Sequence, residues 1–249
     1  MEFLEVPFIL WESLKVSTSS TDSIQLNQPT WLLIDTTGQG CHIGLTHQGV
    51  CWTDSDMQPQ SHTKRILPMI ESLLTQVKLS MNDVQGIVYT KGPGSFTGVR
   101  VGVSVVQGLA FATSIPTLGV STLMALAWQG YCQTQQPNVG AIIDARMAQI
   151  YWAVYDFTQG AEIVTVDCIS SVEHVSEQPM PSLVAGDVHL LENTLVKGEI
   201  PSFSAQPNVD IKSLFSLVET GLKQHFLSWD EALALPIYLR NDVAHLPKK

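Results

Sequence analysis

The sequence contains few of the residues from which metal centres, disulfide frameworks and nucleic-acid surfaces are built. Its four cysteines (Cys41, Cys51, Cys132 and Cys168) form no CxxC motif, which predicts free thiols in a reducing compartment. None of the seven histidines lies three or four residues from another, so no helical histidine pair is available for zinc. We therefore expect neither a metal nor another cofactor.

Positive charge is also scarce. Lysine and arginine together number 13, against 23 aspartates and glutamates, and the formal net charge is -10. Because nucleic-acid affinity depends on neutralising phosphates, we expect the chain alone to bind RNA or DNA poorly. No apolar run reaches the roughly 18 residues of a membrane-spanning helix. Residues 1–29 lack the basic start and uninterrupted apolar run of a secretory signal, which favours a cytoplasmic protein.

The 249 residues, of which 45% are hydrophobic, predict a globular chain of one or two domains. Two stretches show the same order of predicted elements: three strands, a helix, a strand and a helix. The first strands of the two stretches end in Ile-Asp pairs at Asp35 and Asp144. This repeat predicts two similar α/β lobes with a cleft between them. We place an N-terminal tail at 1–29, the first lobe at 30–118, and the second lobe with a C-terminal tail at 119–249.

The most specific motif is the glycine-rich stretch KGPGSFTGVR at residues 91–100. It joins a predicted strand to a predicted helix at about 96–113, but it lacks the GK[ST] ending of a P-loop and the glycine spacing of a dinucleotide fingerprint. Two interpretations remain open: a tight turn with Ser95 or Thr97 as the helix cap, or a phosphate cradle at the helix N-terminus. The helix is apolar nearly all round and contains three glycines, which predicts burial between the lobes or against another chain.

Four segments of the sequence resemble the TsaB (YeaZ) family of bacterial tRNA threonylcarbamoyladenosine biosynthesis proteins. They are IDTT at 34–37, His62 with Leu67-Pro68, the glycine-rich motif, and YLR at 238–240. The resemblance covers about residues 31–241. It implies an actin-like ATPase (ASKHA) fold with two similar lobes, each with a mixed sheet and flanking helices, in agreement with the repeat.

The resemblance also implies a function in tRNA modification. TsaB-like proteins pair with TsaD, the catalytic subunit that transfers the threonylcarbamoyl group to adenosine next to the anticodon, in a complex that includes the ATPase TsaE. TsaD holds a metal with a helical histidine pair, whereas the corresponding helix here has His62 and no second histidine. A non-catalytic scaffold subunit that meets tRNA only through the complex is therefore expected, with a homodimer as the alternative pairing.

The resemblance places the partner contact on the two helices of the first lobe, at about 61–78 and 96–113. The residues expected to form it are His62, Ile66, Ile70, Leu74, Gly98, Arg100, Gly102 and Val106. Asp35 and Asp144 match the positions at which actin-like ATPases hold phosphate and magnesium, but neither begins a phosphate loop, and Gly186 lacks a neighbouring glycine. We therefore expect a vestigial nucleotide cleft at Asp35, Asp144 and Gly186.

Other functions fit parts of the sequence. A free-standing small-molecule kinase of the actin-like class would need both Asp35 and Asp144 to face a nucleotide. A homodimeric binding module without an enzyme partner would need only the apolar helices. A glycoprotease is disfavoured, because the sequence has no HExxH motif and Ser95 does not lie in a GxSxG elbow.

Overall fold

The computed structural model describes residues 29–58, 62–191, 202–204, 208–224, 227–229 and 234–239. The predictions for the N-terminal tail and for the C-terminal tail after residue 239 lie outside these residues.

The first lobe is a five-stranded sheet covered by two long helices. Its elements, in chain order, are β1 (Trp31–Asp35), β2 (Cys41–His47), β3 (Val50–Asp56), α1 (His62–Val77), β4 (Gly86–Thr90), α2 (Phe96–Thr113) and β5 (Thr117–Val120). The strand order is β3-β2-β1-β4-β5. Strands β1 to β3 form an antiparallel meander, and β4 and β5 continue the sheet in parallel.

The second lobe repeats this topology. Its elements are α3 (Thr122–Thr134), β6 (Asn138–Arg146), β7 (Gln149–Asp156), β8 (Glu162–Ser170), α4 (Val172–Ser176), β9 (Leu183–Gly186), β10 (Ser202–Ser204) and α5 (Ile211–Lys223). Its strand order, β8-β7-β6-β9-β10, matches that of the first sheet strand for strand. Asp35 ends β1 and Asp144 lies near the end of β6, the equivalent strand, so the predicted repeat is confirmed.

The lobe boundary predicted at residue 118 is too early. It falls inside β5, which pairs with β4 through Val120. The first sheet therefore ends at Val120, and the short strands β5 and β10 were not predicted from the sequence. The helix expected between the third and fourth strands of the second stretch is α4, whose bounds were not predicted.

The described residues form three hydrophobic cores, one in each lobe and one that spans both. One face of the first sheet packs against α1 and α2. The other face, with Leu33, Val88 and Leu118, merges with residues of α3, β6, β7 and α5 into a single core that spans both lobes. Helix α3 follows the first sheet but packs on the second, and α5 follows the second sheet but contacts β1, β2 and β3. This exchange of helices joins the lobes on one side and leaves a cleft on the other.

Helix α2 is long and apolar enough, by length and composition, to cross a membrane. In the structure 28% of this helix is buried. The Ser95 hydroxyl caps it by accepting the Gly98 N–H at 3.3 Å. One face buries Val99, Val103 and Val106 with the side chains of α1 and the first sheet. The apolar composition therefore suits a helix that covers a sheet.

Candidate functional site

A cleft of about 850 Å³ lies between the two lobes. It is lined by segments that follow the carboxyl ends of strands in both sheets: the β1–β2 turn, the glycine-rich loop after β4, the β6–β7 turn and Asp187 after β9. The segment 237–239 lines one side, and its Ile237 N–H donates to the Lys91 carbonyl at 2.7 Å. This is the edge at which open α/β sheets bind ligands.

Asp35 does not reach the cleft, contrary to the expected nucleotide site. Its side chain is fully buried, and its Oδ1 accepts the Thr37 N–H at 3.0 Å, the Thr37 hydroxyl at 2.7 Å and the Thr90 hydroxyl at 2.5 Å. Only Asp144 of the predicted pair lines the cleft. The cause is local, because the residues after Asp35 fold back and bond to its carboxylate.

The glycine-rich loop packs directly on this turn. The Ser95 N–H donates to the Thr37 carbonyl at 2.7 Å, and the Thr36 hydroxyl donates to the Gly98 carbonyl at 2.8 Å. A Cβ at Gly94, Gly98 or Gly102 would collide with Thr36 or Thr37. These glycines therefore allow α2 to approach the β1–β2 turn, and the geometry supports the tight turn capped by Ser95 over the phosphate cradle.

Gly186 also serves backbone packing. Its φ is +106°, and an added Cβ would collide with the Ile142 carbonyl on the neighbouring strand β6. Gly186 does not line the cleft, whereas the next residue, Asp187, does. The prediction that Gly186 belongs to a nucleotide cleft is therefore corrected, because a glycine is needed at this position for the close approach of β9 to β6.

Asp144 is engaged by groups of its own lobe. Its N–H donates to Asp187 Oδ2 at 2.8 Å, and its Oδ2 forms an ion pair with the Arg146 guanidinium at 2.9 Å. The turn that follows has positive φ at Arg146, Met147 and Ala148 (+67°, +57° and +56°), which no glycine in the sequence indicated. Because Asp35 is buried away from the cleft, the two acids do not both face it, as the kinase alternative would need. In the described part of the chain, no group of three or more metal-ligating side chains occurs.

Arg100 lies at the rim of the cleft in an aromatic setting. Its guanidinium carbon is 3.5 Å from the centroid of the Phe96 ring, and its Nε donates to the Tyr238 hydroxyl at 3.2 Å. Phe96 was not predicted from the sequence, although an aromatic residue four positions before an arginine on a helix is the pattern of such a contact. The contact attaches the segment around Tyr238 to the start of α2.

Most residues predicted for the partner contact lie inside the first lobe. Ile66, Ile70, Leu74 and Val106 are buried in its core, and Gly98 and Gly102 pack against Thr36. The apolar periodicity of α1 and α2 therefore marks the faces that cover their own sheet, which corrects the assignment for these six residues. Arg100 is exposed. His62 begins α1, and its side chain lies outside the described residues.

The exposed sides of the two helices carry a different set of residues. Leu67 on α1 is 53% exposed, and Phe111 on α2 is 91% exposed. Gly108 lies one turn before Phe111, and a Cβ at this position would meet no atom of the described residues within 4 Å. Ser104, one turn earlier, is also exposed. We refer to Leu67, Ser104, Gly108 and Phe111 as the outer helix face.

Two lobes of matching strand order on either side of a cleft define a protein of the actin-like (ASKHA) fold class. A family model described as TsaD, tRNA N6-adenosine threonylcarbamoyltransferase, matches residues 56–244. The tRNA threonylcarbamoyladenosine biosynthesis protein TsaB of Haemophilus influenzae is 33% identical over 231 residues, which are 86% of this chain and 94% of that protein. The chain belongs to the TsaB (YeaZ) family.

Two further relatives agree with this assignment. TsaB of Escherichia coli is 43% identical over 124 residues, and the match spans 50% of this chain and about half (54%) of that protein. The structure of YeaZ from Pseudomonas aeruginosa matches with a TM-score of 0.75 at 32% identity, covering 85% of this chain and 100% of that chain. The family indicated by the sequence motifs and its two-lobed fold are thus confirmed.

Proposed function

We propose that the chain is a non-catalytic scaffold subunit of the cytoplasmic complex that adds the threonylcarbamoyl group to adenosine in tRNA. It pairs with a TsaD-like catalytic subunit through the outer helix face. The ATPase of the complex, TsaE, joins this pair, and the tRNA is bound by the assembly. The observation that carries the proposal is Gly108, a glycine on an exposed helix face that no contact with the described residues requires.

A glycine inside a helix is unfavourable by about 1 kcal/mol relative to alanine. Gly98 and Gly102 are explained by their contacts with Thr36, but a Cβ at Gly108 would contact none of the residues that the structure describes. A partner helix that packs closely on α2 would explain it, because helices approach closely where side chains are absent. Phe111 on the same face supplies the large apolar side chain that protein interfaces use as an anchor.

The burial of Asp35 supports a function for this chain that does not involve nucleotide chemistry. The Asp35 carboxylate accepts three hydrogen bonds from Thr37 and Thr90, and the loop before α2 covers this turn. Asp144 pairs with Arg146. The net charge of -10 agrees with a subunit that relies on its partners to bind tRNA.

Binding of the purified chain to its cognate TsaD-like subunit tests the proposal. Phe111→Glu and Gly108→Trp are each expected to weaken binding by about tenfold or more, because one introduces a charge and the other a bulky side chain at a close contact. Lys212→Trp, at an exposed position of α5, is the matched control and should bind as the unmodified chain does.

Melting temperatures distinguish a variant that has lost only its interface from a variant that has lost its fold. Both outer-face variants should melt within about 2 °C of the unmodified chain, since neither side chain is buried in the lobe. Unchanged binding in both variants would place the interface elsewhere. If sedimentation of the isolated chain shows a dimer that the same variants dissociate, while binding to the TsaD-like subunit is unaffected, the face serves self-association and the proposed pairing is wrong.

A further inference from the structure

Arg100 is an exposed arginine that no acid of the described chain neutralises. Arg65 and Arg146 form ion pairs with Asp56 and Asp144, at 2.7 Å and 2.9 Å. Arg100 forms no ion pair with any residue that the structure describes, although the chain contains 23 aspartates and glutamates. Its charge is therefore available to a group from outside the chain.

Two aromatic residues hold the Arg100 guanidinium in one position. Its carbon lies 3.5 Å from the centroid of the Phe96 ring and 5.6 Å from that of the Tyr238 ring. Its Nε donates to the Tyr238 hydroxyl at 3.2 Å. Tyr238 is placed in turn by the preceding residue, because the Ile237 N–H donates to the Lys91 carbonyl at 2.7 Å. A side chain that is fixed before binding loses less conformational entropy when a partner engages it.

The free donors of this guanidinium form a fork. Arginine has five N–H donors in a fixed plane, and the Tyr238 hydroxyl accepts the one on Nε. The four N–H groups of the two terminal nitrogens donate no hydrogen bond to the described residues. Such a fork matches the two oxygens of a carboxylate. The half-exposed rings of Phe96 and Tyr238 flank the fork, and arginine beside aromatic rings is typical of the centres of protein interfaces.

Arg100 belongs to the same side of α2 as the outer helix face. Arg100, Ser104, Gly108 and Phe111 follow one another at intervals of four, four and three residues, which is the spacing of one side of a helix. All four residues are exposed, apart from the glycine, whose Cβ position is open. A helix rises about 1.5 Å per residue, so Phe111 and Arg100 lie about 16 Å apart along the axis. A partner helix of ordinary length that packs on the outer helix face therefore reaches Arg100.

The charges of the two helices favour an acidic protein surface as the occupant. Among lysines, arginines, aspartates and glutamates, α1 and α2 carry Lys64, Arg65, Arg100 and a single acid, Glu71. The helices are thus basic in a chain whose net charge is -10. Complementary charge is the rule across interfaces. RNA is the less suitable occupant, because its binding depends on several free cations, and Arg65 is already paired.

We propose that the TsaD-like subunit presents an aspartate or glutamate whose carboxylate accepts hydrogen bonds from both terminal nitrogens of Arg100. Tyr238 is a positioning residue, which holds Nε and so orients the fork. This inference rests on the proposed pairing through the outer helix face, and it adds the chemistry of the surface that the partner brings to the start of α2.

Binding of the full chain to its cognate TsaD-like subunit tests the arginine. Arg100→Gln should weaken binding by about tenfold or more, because hydrogen bonds to a charged group are lost. Arg100→Lys should also weaken it, since an ammonium group cannot form the fork. Lys212→Gln is the matched control: it removes one positive charge from an exposed position of α5 and should bind as the unmodified chain does. All three variants should melt within about 2 °C of the unmodified chain.

Two further measurements test the ion pair and its positioning. The affinity of the unmodified chain should fall more steeply with added sodium chloride than that of Arg100→Gln. Tyr238→Phe keeps the ring and removes the hydroxyl. It should weaken binding about threefold in the unmodified chain and have no effect in an Arg100→Gln background. An equal loss in both backgrounds would show that Tyr238 does not act through Arg100.

Charge reversal identifies the partner's acid. Arg100→Glu should abolish binding, and one substitution of an aspartate or glutamate by arginine on the TsaD-like subunit should restore part of it. The absence of rescue by every such substitution would overturn the proposal.

The outer-face variants separate this inference from the proposed function. If Phe111→Glu and Gly108→Trp lose binding while Arg100→Gln binds like Lys212→Gln, the carboxylate contact is wrong and the pairing stands. If the two outer-face variants also bind normally, the pairing itself is wrong. If Arg100→Gln leaves the pairing unchanged but weakens binding of tRNA to the assembled complex, the arginine contacts phosphate and the proposal is overturned.

Discussion

Asp35 and His42 are paired across β1 and β2, and each carries one buried side-chain atom without a hydrogen-bond partner among the described residues. On Asp35 this atom is Oδ2, since Oδ1 accepts all three hydrogen bonds from Thr37 and Thr90. On His42 it is Nε2, since Nδ1 is bonded to the Ser55 hydroxyl at 2.9 Å. The acid that ends β1 therefore holds the β1–β2 turn and the neighbouring strand β4, and this role leaves it no access to the cleft.

Substitution of Asp35 by asparagine should be tolerated, whereas alanine should not. Asparagine keeps an oxygen for the three donors and removes a buried charge, so the free energy of unfolding should change by less than about 1 kcal/mol. Alanine leaves the donors of Thr37 and Thr90 without their acceptor and should lower it by about 3 kcal/mol. Urea unfolding followed by tryptophan fluorescence measures both values. An equal loss in both variants would show that the charge itself is required, as an ion-binding role would demand.

The repeat and its longer elements could be predicted from the sequence, because buried strands and amphipathic helices show strong patterns of apolar residues. The bounds of α2 were predicted correctly at 96–113, with a capping serine before the helix and a proline after it. β5 was missed because its four residues follow the proline closely and are too few to show a pattern. The boundary placed at 118 is wrong for the same reason.

The site could be predicted only in part, because the spacing of residues along a helix or strand does not show which of them face the rest of the chain. The sequence shows that α2 contains small residues at intervals of about one turn. It does not show that Gly98 and Gly102 face Thr36 while Gly108 faces outward. Likewise, Asp35 and Asp144 occupy equivalent strands, but the threonines after Asp35 bury it and the arginine after Asp144 pairs with it.

The glycines of α2 should respond in opposite directions to alanine. Gly108→Ala should raise the free energy of unfolding by roughly 0.5–1 kcal/mol, because the Cβ meets nothing and alanine favours the helix. Gly102→Ala should lower it by about 1–3 kcal/mol, because its Cβ would collide with the Thr36 hydroxyl. Thermal and urea unfolding of the isolated chain provide the comparison. Destabilisation by Gly108→Ala would mean that the outer helix face is already covered in the isolated chain.

The stability of the chain should fall at alkaline pH because of two thiols, the buried Cys41 and the partly buried Cys51. Burial, followed by the charges of Asp35, Asp56 and Asp54, raises the pKa of Cys41 from 9.0 to about 12. Burial also raises the pKa of Cys51 to about 11. The thiols lose their protons at a lower pH in the unfolded chain than in the folded chain. The free energy of unfolding therefore keeps the full contribution of these thiols below about pH 9 and decreases as the pH rises above it. Each thiol should contribute a slope of up to about 1.4 kcal/mol per pH unit.

Cys41→Ala tests this slope directly. The variant should be less stable at neutral pH, because it loses a buried side chain, but its free energy of unfolding should fall less steeply between about pH 9 and 11. Urea unfolding at a series of pH values gives both curves. Parallel curves for the variant and the unmodified chain would show that Cys41 does not supply the alkaline dependence.

Asp167 joins the start of α3 to the sheet of the second lobe by accepting two hydroxyl groups. Its Oδ2 accepts the hydroxyl of Ser121, which follows the first sheet and caps α3, at 2.5 Å. Its Oδ1 accepts the hydroxyl of Tyr155 on β7 at 2.6 Å. Burial, followed by the charge of Asp167, raises the pKa of Tyr155, so this hydroxyl remains a donor at neutral and moderately alkaline pH. The carboxylate therefore connects the start of α3 to the meander of the second lobe.

A double-mutant cycle should reveal this connection. Tyr155→Phe alone should lower the free energy of unfolding by about 1–2 kcal/mol, because it removes a donor to a charged group. In an Asp167→Ala background the same change should be close to neutral, since the tyrosine hydroxyl has already lost its acceptor. Ser121→Ala is the internal comparison. It should still cost about 1 kcal/mol in that background, because Ser121 also accepts the Met124 N–H as the cap of α3. Equal losses for Tyr155→Phe in both backgrounds would show that the ring packing, rather than the hydrogen bond to Asp167, is what Tyr155 contributes.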